Sequence, residues 1–461
     1  MKERVGANMA VCRLQAVWIL AVLAASSFAV PAQADDWPNW LGPKKDGVWH
    51  ESGLLEKFPQ GGPKVIWRKP INPGYCGPAV AAGKLFVMDR ITEKDKDGKP
   101  VSPKKGVVAG KERVVCLDAS DGSTVWIQEF DCPYTISYGQ GPRATPWVDG
   151  DRVFTLGAMG NLRCHESATG KVVWEKDLPK EYKTKPPLWG YSASPLVDGD
   201  LIYTQAGGDG SALVALDKRT GKEVWRALKA EEVGYSPPML SEAGGKRQLI
   251  VWLDTSVNSL DPLTGKTYWS LEHPEAKSIQ RPVVNIVTPV KSGDNLLVSE
   301  FYQGSALLKL DGEKPDAKLL WRSKSKDPSK PDNLNALMAT PIIRDGHIYG
   351  VCGMGEMRCV KLDTGELVWE SLKATGGKKA LFAHTFIIPA GDKYVLFNDQ
   401  GDLILAKLSP KGYEEIARHH LLDTTFTTRG RDVVWCHPAF ANKCLFVHND
   451  KEILCVSMAR D

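Results

Sequence analysis

The sequence predicts an all-β protein, an eight-bladed β-propeller of four-stranded antiparallel blades. Three observations carry that expectation: a Trp-ended tail that recurs about every fifty residues, a β-hairpin head before the tails that is turned at Asp-Gly in several copies, and an orphan tail near the start that balances a strand missing at the end. The tails occupy residues 121–126, 169–174, 220–225, 264–269 and 364–369, with a degenerate copy ending at Trp321. Trp126, Trp174, Trp225, Trp269, Trp321 and Trp369 are separated by 48, 51, 44, 52 and 48 residues. A further step of 48 from Trp369 lands on Ala417, inside a worn copy at residues 413–418.

Each unit also has a head, and three of them place Asp-Gly between two β-rich runs, at residues 145–154, 194–203 and 340–349. That is a hairpin signal. A second turn follows at residues 157–161, then a third strand at 162–165, and the Thr-Gly-Lys turn leads to a fourth strand ending in Trp. Four short strands at this period make a propeller blade. Eight units head at Pro78, Pro146, Pro195, Pro237, Pro289, Pro341, Phe386 and Pro438. The last unit runs out after three strands, at residues 455–458, whereas residues 65–68 form a tail with no head. Pairing Val65-Ile66-Trp67 beside the Cys455 strand closes the ring and leaves no open sheet edge.

The chain divides into a signal peptide at residues 1–34, a leader at 35–64 and a single propeller at 65–461. Lys2, Arg4 and Arg13 precede an apolar run over residues 16–30, and Ala32-Gln33-Ala34 supplies the small-x-small cleavage pattern. The run is short for a membrane span, and Asp35-Asp36 follows instead of a basic stop-transfer cluster. No cysteine ends the run, which argues against a lipid anchor. The expectation is an exported, periplasmic or extracellular monomer with no transmembrane segment in the mature chain. With 461 residues, 43% hydrophobic and 25% charged, the composition excludes wholesale disorder. The mature net charge of +2 and the lack of a clustered basic face exclude nucleic acid as a partner. The Lys/Arg-rich stretch 94–113 also carries acids and reads as a solvated loop.

Nine of the ten cysteines lie in the mature chain, and no CxxC motif occurs. Cys116, Cys164, Cys359 and Cys455 fall at one register in the third strands of four blades, where they are expected as small apolar fillers. Cys444 and Cys455 are placed opposite one another across a hairpin at Asn449-Asp450, with Cys352 and Cys359 the next such pair. These are the two candidate bridges.

The Thr-Gly-Lys-x-x-Trp tails and Asp-Gly heads resemble the PQQ-like (pyrroloquinoline-quinone) repeat, the tryptophan-docked eight-bladed propeller. The resemblance spans residues 65–458. It implies that Trp67, Trp126, Trp174, Trp225, Trp269, Trp321 and Trp369 end outer strands and dock on the neighbouring blade. Two branches of the fold are similar: quinoprotein dehydrogenases, which use PQQ and calcium, and the scaffold lipoprotein of the outer-membrane β-barrel assembly machinery. The vicinal Cys-Cys pair that many dehydrogenases carry is absent, and the chain is short for that branch.

Other motifs carry little. Glu93-x-Asp95-x-Asp97-Gly98 begins like a calcium loop, but the twelfth position is Lys104. Ser102-x-x-Lys105 and Ser323-x-x-Lys326 match a serine-acylase spacing without companion motifs. His419-His420 lies just past an outer strand, where neighbours point to opposite faces and make a poor metal clamp. No metal site is expected.

In a propeller the first strand of each blade is innermost, so the segments entering those strands line the mouth of the axial channel. They carry Tyr75, Arg143, Trp189, Tyr191, Tyr235, Arg281, Asn285, His384, Trp435 and His437. Two guanidiniums and two imidazoles from separate blades, converging there, would hold an anionic or hydroxyl-rich ligand. The alternative is that these side chains satisfy loop backbone. The functional expectation is a non-catalytic module binding a small polar ligand or another envelope protein. The alternatives are a PQQ-dependent oxidoreductase and an envelope assembly scaffold.

Overall fold

A computed structural model describes residues 35–94, 96, 106–272, 283–325 and 327–460. The signal segment, Arg281, Ser102, Lys105, Lys326 and most of the calcium-loop match lie outside the described residues.

Eight four-stranded antiparallel sheets follow one another along the chain. Blade 1 comprises Ala79–Ala81, Lys84–Thr92, Gly110–Asp118 and Thr124–Asp131. Blades 2 to 7 repeat that order and begin at Trp147, Leu196, Met239, Val290, Ile342 and Thr385. Blade 8 takes three strands from the end of the chain, Ala439–Ala441, Cys444–His448 and Glu452–Ser457, and its fourth from the beginning, Val65–Pro70. Trp67 pairs with Cys455 in that closing contact.

The repeat tail has a physical reading at the seams. In five of them a Trp ring covers the turn glycine of the next blade: Trp67 on Gly122, Trp126 on Gly170, Trp174 on Gly221, Trp225 on Gly265 and Trp321 on Gly365. A Cβ at Gly170 would lie 2.5 Å from the Trp126 ring, and the residue has φ +74°, so two independent constraints demand glycine there. Each indole also donates to a carbonyl one residue into the same turn, as Trp126 does to Ser167 O at 3.1 Å and Trp225 to Pro262 O at 3.0 Å. Behind the ring sits a small third-strand residue. Cys116, Cys164, Cys359 and Cys455 pair with Trp126, Trp174, Trp369 and Trp67 on one side and with Phe86, Phe154, Tyr349 and Phe446 on the other. A thiol fits between two aromatic neighbours, and burial pushes Cys116 and Cys164 up to about 12.

Several expectations change. Trp269 does not donate to the next blade; its indole bonds Gln248 Oε1 of its own blade at 2.9 Å. The blade-5 turn carries Pro315 where blades 1 to 4 and 6 carry glycine, and the Lys314–Pro315 backbone lies against Gly244 instead. Cys444 pairs with Ser457, not Cys455, because the hairpin register is offset by two residues. Cys455 instead faces Phe446, and the nine described cysteines are free thiols. The stretch 94–113 is not all loop: Lys111, Glu112 and Arg113 belong to a nine-residue strand, and Arg113 pairs with the fully buried Asp89. His419 and His420 lie within the strand Gly412–His420, with His420 turned to Asp402.

Candidate functional site

The site is built from the segments that enter the innermost strands and from the leader. Four half-buried rings gather where blades 8 and 1 meet: Tyr75, Tyr138, Phe426 and Trp435. Their centroids lie 5.3 Å apart for Phe426–Trp435, 5.6 Å for Tyr75–Phe426 and 5.7 Å for Tyr138–Trp435. Tyr138 and Phe426 are absent from the sequence-predicted set. Tyr138 sits in the left-handed region at φ +55°, and Phe426 belongs to an extra hairpin, Phe426–Thr428 with Arg431–Val433, inserted before blade 8. The aromatic spacing in these loops follows no repeat, which is why the sequence did not flag them.

Arg143 serves this cluster without facing a ligand. Its guanidinium donates to the carbonyls of Ser137, Tyr138 and Gly141 and stacks 5.2 Å over the Tyr75 ring. It therefore fixes the loop that presents Tyr138. His384 is 3% exposed, its Nδ1 contacts Phe382 O at 3.3 Å, and burial lowers its pKa, so the ring is neutral. Three polar atoms of this region are buried with no hydrogen-bond partner in the protein: Tyr75 OH, Trp435 Nε1 and His384 Nε2. Unpaired buried groups are rare, and a cluster of them fits a polar ligand or ordered water. Close by, the buried Asp399 pairs with Arg431 at 2.5 Å and keeps Oδ1 unpartnered.

A second group lies around blades 3 to 5. Trp189 and Tyr235 have centroids 5.4 Å apart, and Tyr235 OH donates to Glu232 at 2.8 Å. Asn285 donates to Trp252 O at 2.8 Å and keeps Oδ1 unpartnered against Gly234. Tyr191 turns away into the blade core and donates to Ala206 O at 3.0 Å. His437 is not at the open mouth. Its ring is tilted against Trp40 of the leader at 4.3 Å and edge-on to Phe386 at 4.7 Å, and burial pushes its pKa down to about 3. The expected convergence of two guanidiniums and two imidazoles is thus not what the described residues form: Arg143 is spent on carbonyls, the two imidazoles are neutral and buried, and Arg281 lies outside the described residues.

The leader explains the burial of His437. It lies against the innermost strands of blades 1, 2, 3 and 7. Trp37 pairs with Val80 of blade 1, Val148 of blade 2 donates to Pro38 O, and Trp49 donates to Pro389 O of blade 7. Trp37 and Trp49 are 2% and 1% exposed, and both pack on Phe440 of blade 8. Nothing in the leader's composition announces this, since its contacts with blades 1, 2, 3 and 7 all join residues far apart in sequence.

The described residues of the mouth do not suit PQQ with calcium. The quinone's carboxylates need free cationic partners, and Arg143 is already satisfied by three carbonyls. Among the described residues no three His, Cys, Asp or Glu side chains converge as a metal-binding group.

Fold and repeat together define a PQQ-like repeat propeller. Residues 110–311 and 253–461 match the family model described as outer membrane protein assembly factor BamB, PQQ_2, and the chain belongs to that family. BamB of Yersinia pestis is 25% identical over 292 residues, covering 61% of this chain and 67% of that protein. In structure, BamB from Moraxella catarrhalis superposes with a TM-score of 0.56 at 14% identity, over 86% of this chain and 99% of the other. Quinohemoprotein alcohol dehydrogenase from Comamonas testosteroni gives 0.55 at 12% identity, over 92% and 81%. These structural likenesses show the shared propeller; they do not choose between branches.

Proposed function

We propose that this chain is a non-catalytic partner-binding propeller of the bacterial envelope, exported after cleavage before Asp35, and that it serves outer membrane protein assembly as its relatives' names describe. The family match over residues 110–461 carries this reading. The mouth supports it: four half-buried rings with unsatisfied polar tips, Tyr75 OH and Trp435 Nε1, suit a partner that buries aromatic surface and returns hydrogen bonds. Aromatic anchors with a polar handle are common hot spots. No helix among the described residues is long and apolar enough to cross a membrane.

The test is direct binding between the purified mature chain and purified components of the same organism's outer-membrane assembly machinery. Trp435→Ala and Tyr75→Ala should each weaken the complex by roughly ten- to a hundredfold. Unchanged affinity in both variants removes the mouth from the interface. Dye-linked alcohol or sugar oxidation after addition of PQQ and calcium would overturn the non-catalytic reading. Mass spectrometry of the exported product reads the cleavage site and any lipid adduct.

A further inference from the structure

The wall of the axial channel is made of strand edges. In each blade the first hairpin closes on a hydrogen-bonded pair, so the preceding residue turns its N–H and C=O away from its own hairpin and toward the axis. Val80, Val148, Val197 and Pro389 hold that position in blades 1, 2, 3 and 7, as their registers show. The leader engages all four. Trp37 exchanges both backbone bonds with Val80 at 2.8 Å, Val148 N–H reaches Pro38 O at 2.8 Å, Lys45 Nζ reaches Val197 O at 3.4 Å, and Trp49 N–H reaches Pro389 O at 2.9 Å.

The same position in blades 4, 5 and 6 is Glu242, Lys291 and Ile343. Among the described residues, their axial N–H and C=O groups have no partner. All three line a cavity of about 520 Å³ between these strands and leader residues Leu41 and Lys45 to Val48. Consecutive residues of each strand line it, Met239 through Glu242 for instance, which is the signature of an edge and not of one sheet face. Two of the three cations that line it are engaged: Lys45 on Val197 O, and Arg344 on Tyr394 OH and Gly391 O. The cavity therefore offers alternating backbone donors and acceptors among apolar side chains and a mixed set of charges, Lys45, Lys291 and Arg344 against Asp46 and Glu242.

We propose that this sector of the channel binds a second, short extended polypeptide segment supplied in trans, which crosses the axis as the leader does and exchanges backbone hydrogen bonds with Glu242, Lys291 and Ile343. Unpaired edges recruit extended chains in this manner, and the leader shows the mode within the same channel. The proposal is independent of the aromatic mouth.

The probe is an acetylated, amidated pentapeptide of alternating threonine and valine, titrated into the mature chain by calorimetry, beside the same peptide N-methylated at alternate residues. Saturable one-to-one binding is expected, weakened at least tenfold by N-methylation. Lys291→Pro and Ile343→Pro should each weaken it about three- to tenfold, the effect of one lost hydrogen bond. Pro389 already occupies the equivalent place in blade 7, and the N–H removed is not used by the hairpin, so thermal unfolding should barely change. Trp435→Ala should leave peptide binding intact. A benzoylphenylalanine version of the peptide gives a second readout independent of variant folding, with its adduct expected within residues 239–242, 290–293 or 342–344. Absence of binding at several millimolar, indifference to N-methylation, an adduct on the outer strands, or occupancy by PQQ or a hexose in the peptide's place would each overturn the proposal.

Discussion

Two neighbouring seams of the ring behave differently. Between blades 3 and 4, Trp225 lies flat on Gly265 and donates to Pro262 O. Between blades 4 and 5, Trp269 is equally buried, yet it donates to Gln248 of its own blade, and Pro315 stands where the glycine would be. The first seam is held by an interblade hydrogen bond and a steric lock on glycine. The second is held by ring burial and by backbone packing at Gly244. The comparison separates two roles of the repeat Trp that coincide elsewhere: filling the seam and fastening it. A third case, between blades 7 and 8, has Ala417 at the Trp register. There Leu54, Leu55 and Phe58 of the leader join the cluster that contains Ile416 and Ala417, and Gly62 lies against the His419 ring.

The sharpest way to break the comparison is Trp225→Ala. It removes an 8%-exposed indole together with its bond, and should cost about 3–5 kcal/mol in reversible denaturation. A loss below about 1 kcal/mol would show that the seam is redundant. Acid comes next. His165 stacks on Trp126 and bonds Thr155 and Gly170 O, and burial holds its pKa down to about 4 against an unperturbed 6.5. The folded state thus binds fewer protons than the unfolded one, so stability falls as pH drops below about 6.5 and levels off near 4. The share of this histidine is about 3 kcal/mol. His165→Gln should flatten that limb by the same amount; an unchanged acid slope would assign the effect elsewhere.

Gly265→Ala should cost about 2 kcal/mol, from φ +72° and a Trp225 atom 2.5 Å from the new methyl. Pro315→Gly, at the equivalent place in the other seam, should cost only about 0.5–1 kcal/mol through the freedom it returns to the unfolded chain. If the two substitutions cost the same, the seams do not differ as described. Melting curves of the two variants, recorded side by side, decide it.

The periodic part of the molecule was legible in the sequence: eight blades, the closing pair of Trp67 with Cys455, the worn tail at Ala417 and the cysteine register. Repetition makes each copy a check on the others. The channel was not legible. Val80, Val148, Val197 and Pro389 each meet the leader once, over separations that no local pattern encodes. For the same reason His437 could not be seen to lie under Trp40, nor Tyr191 to turn into the core. The charge of Arg143 points to a ligand, whereas three nearby carbonyls decide what it does. Tyr138 and Phe426 entered the mouth through loop geometry alone.

The closing blade also sets an order of events. A chain emerges from synthesis or export with its amino end first, so Val65–Pro70 appears before any partner for it exists, and Glu452–Ser457 appears last. Through nearly the whole of that interval the ring is an open arc with a bare strand at one end. Completion is therefore tied to delivery of the final segment, and an interrupted chain keeps an adhesive edge that a holdase must cover. Pulse proteolysis of chains arrested before Asp450 reads this directly: full protection of their blades would contradict it.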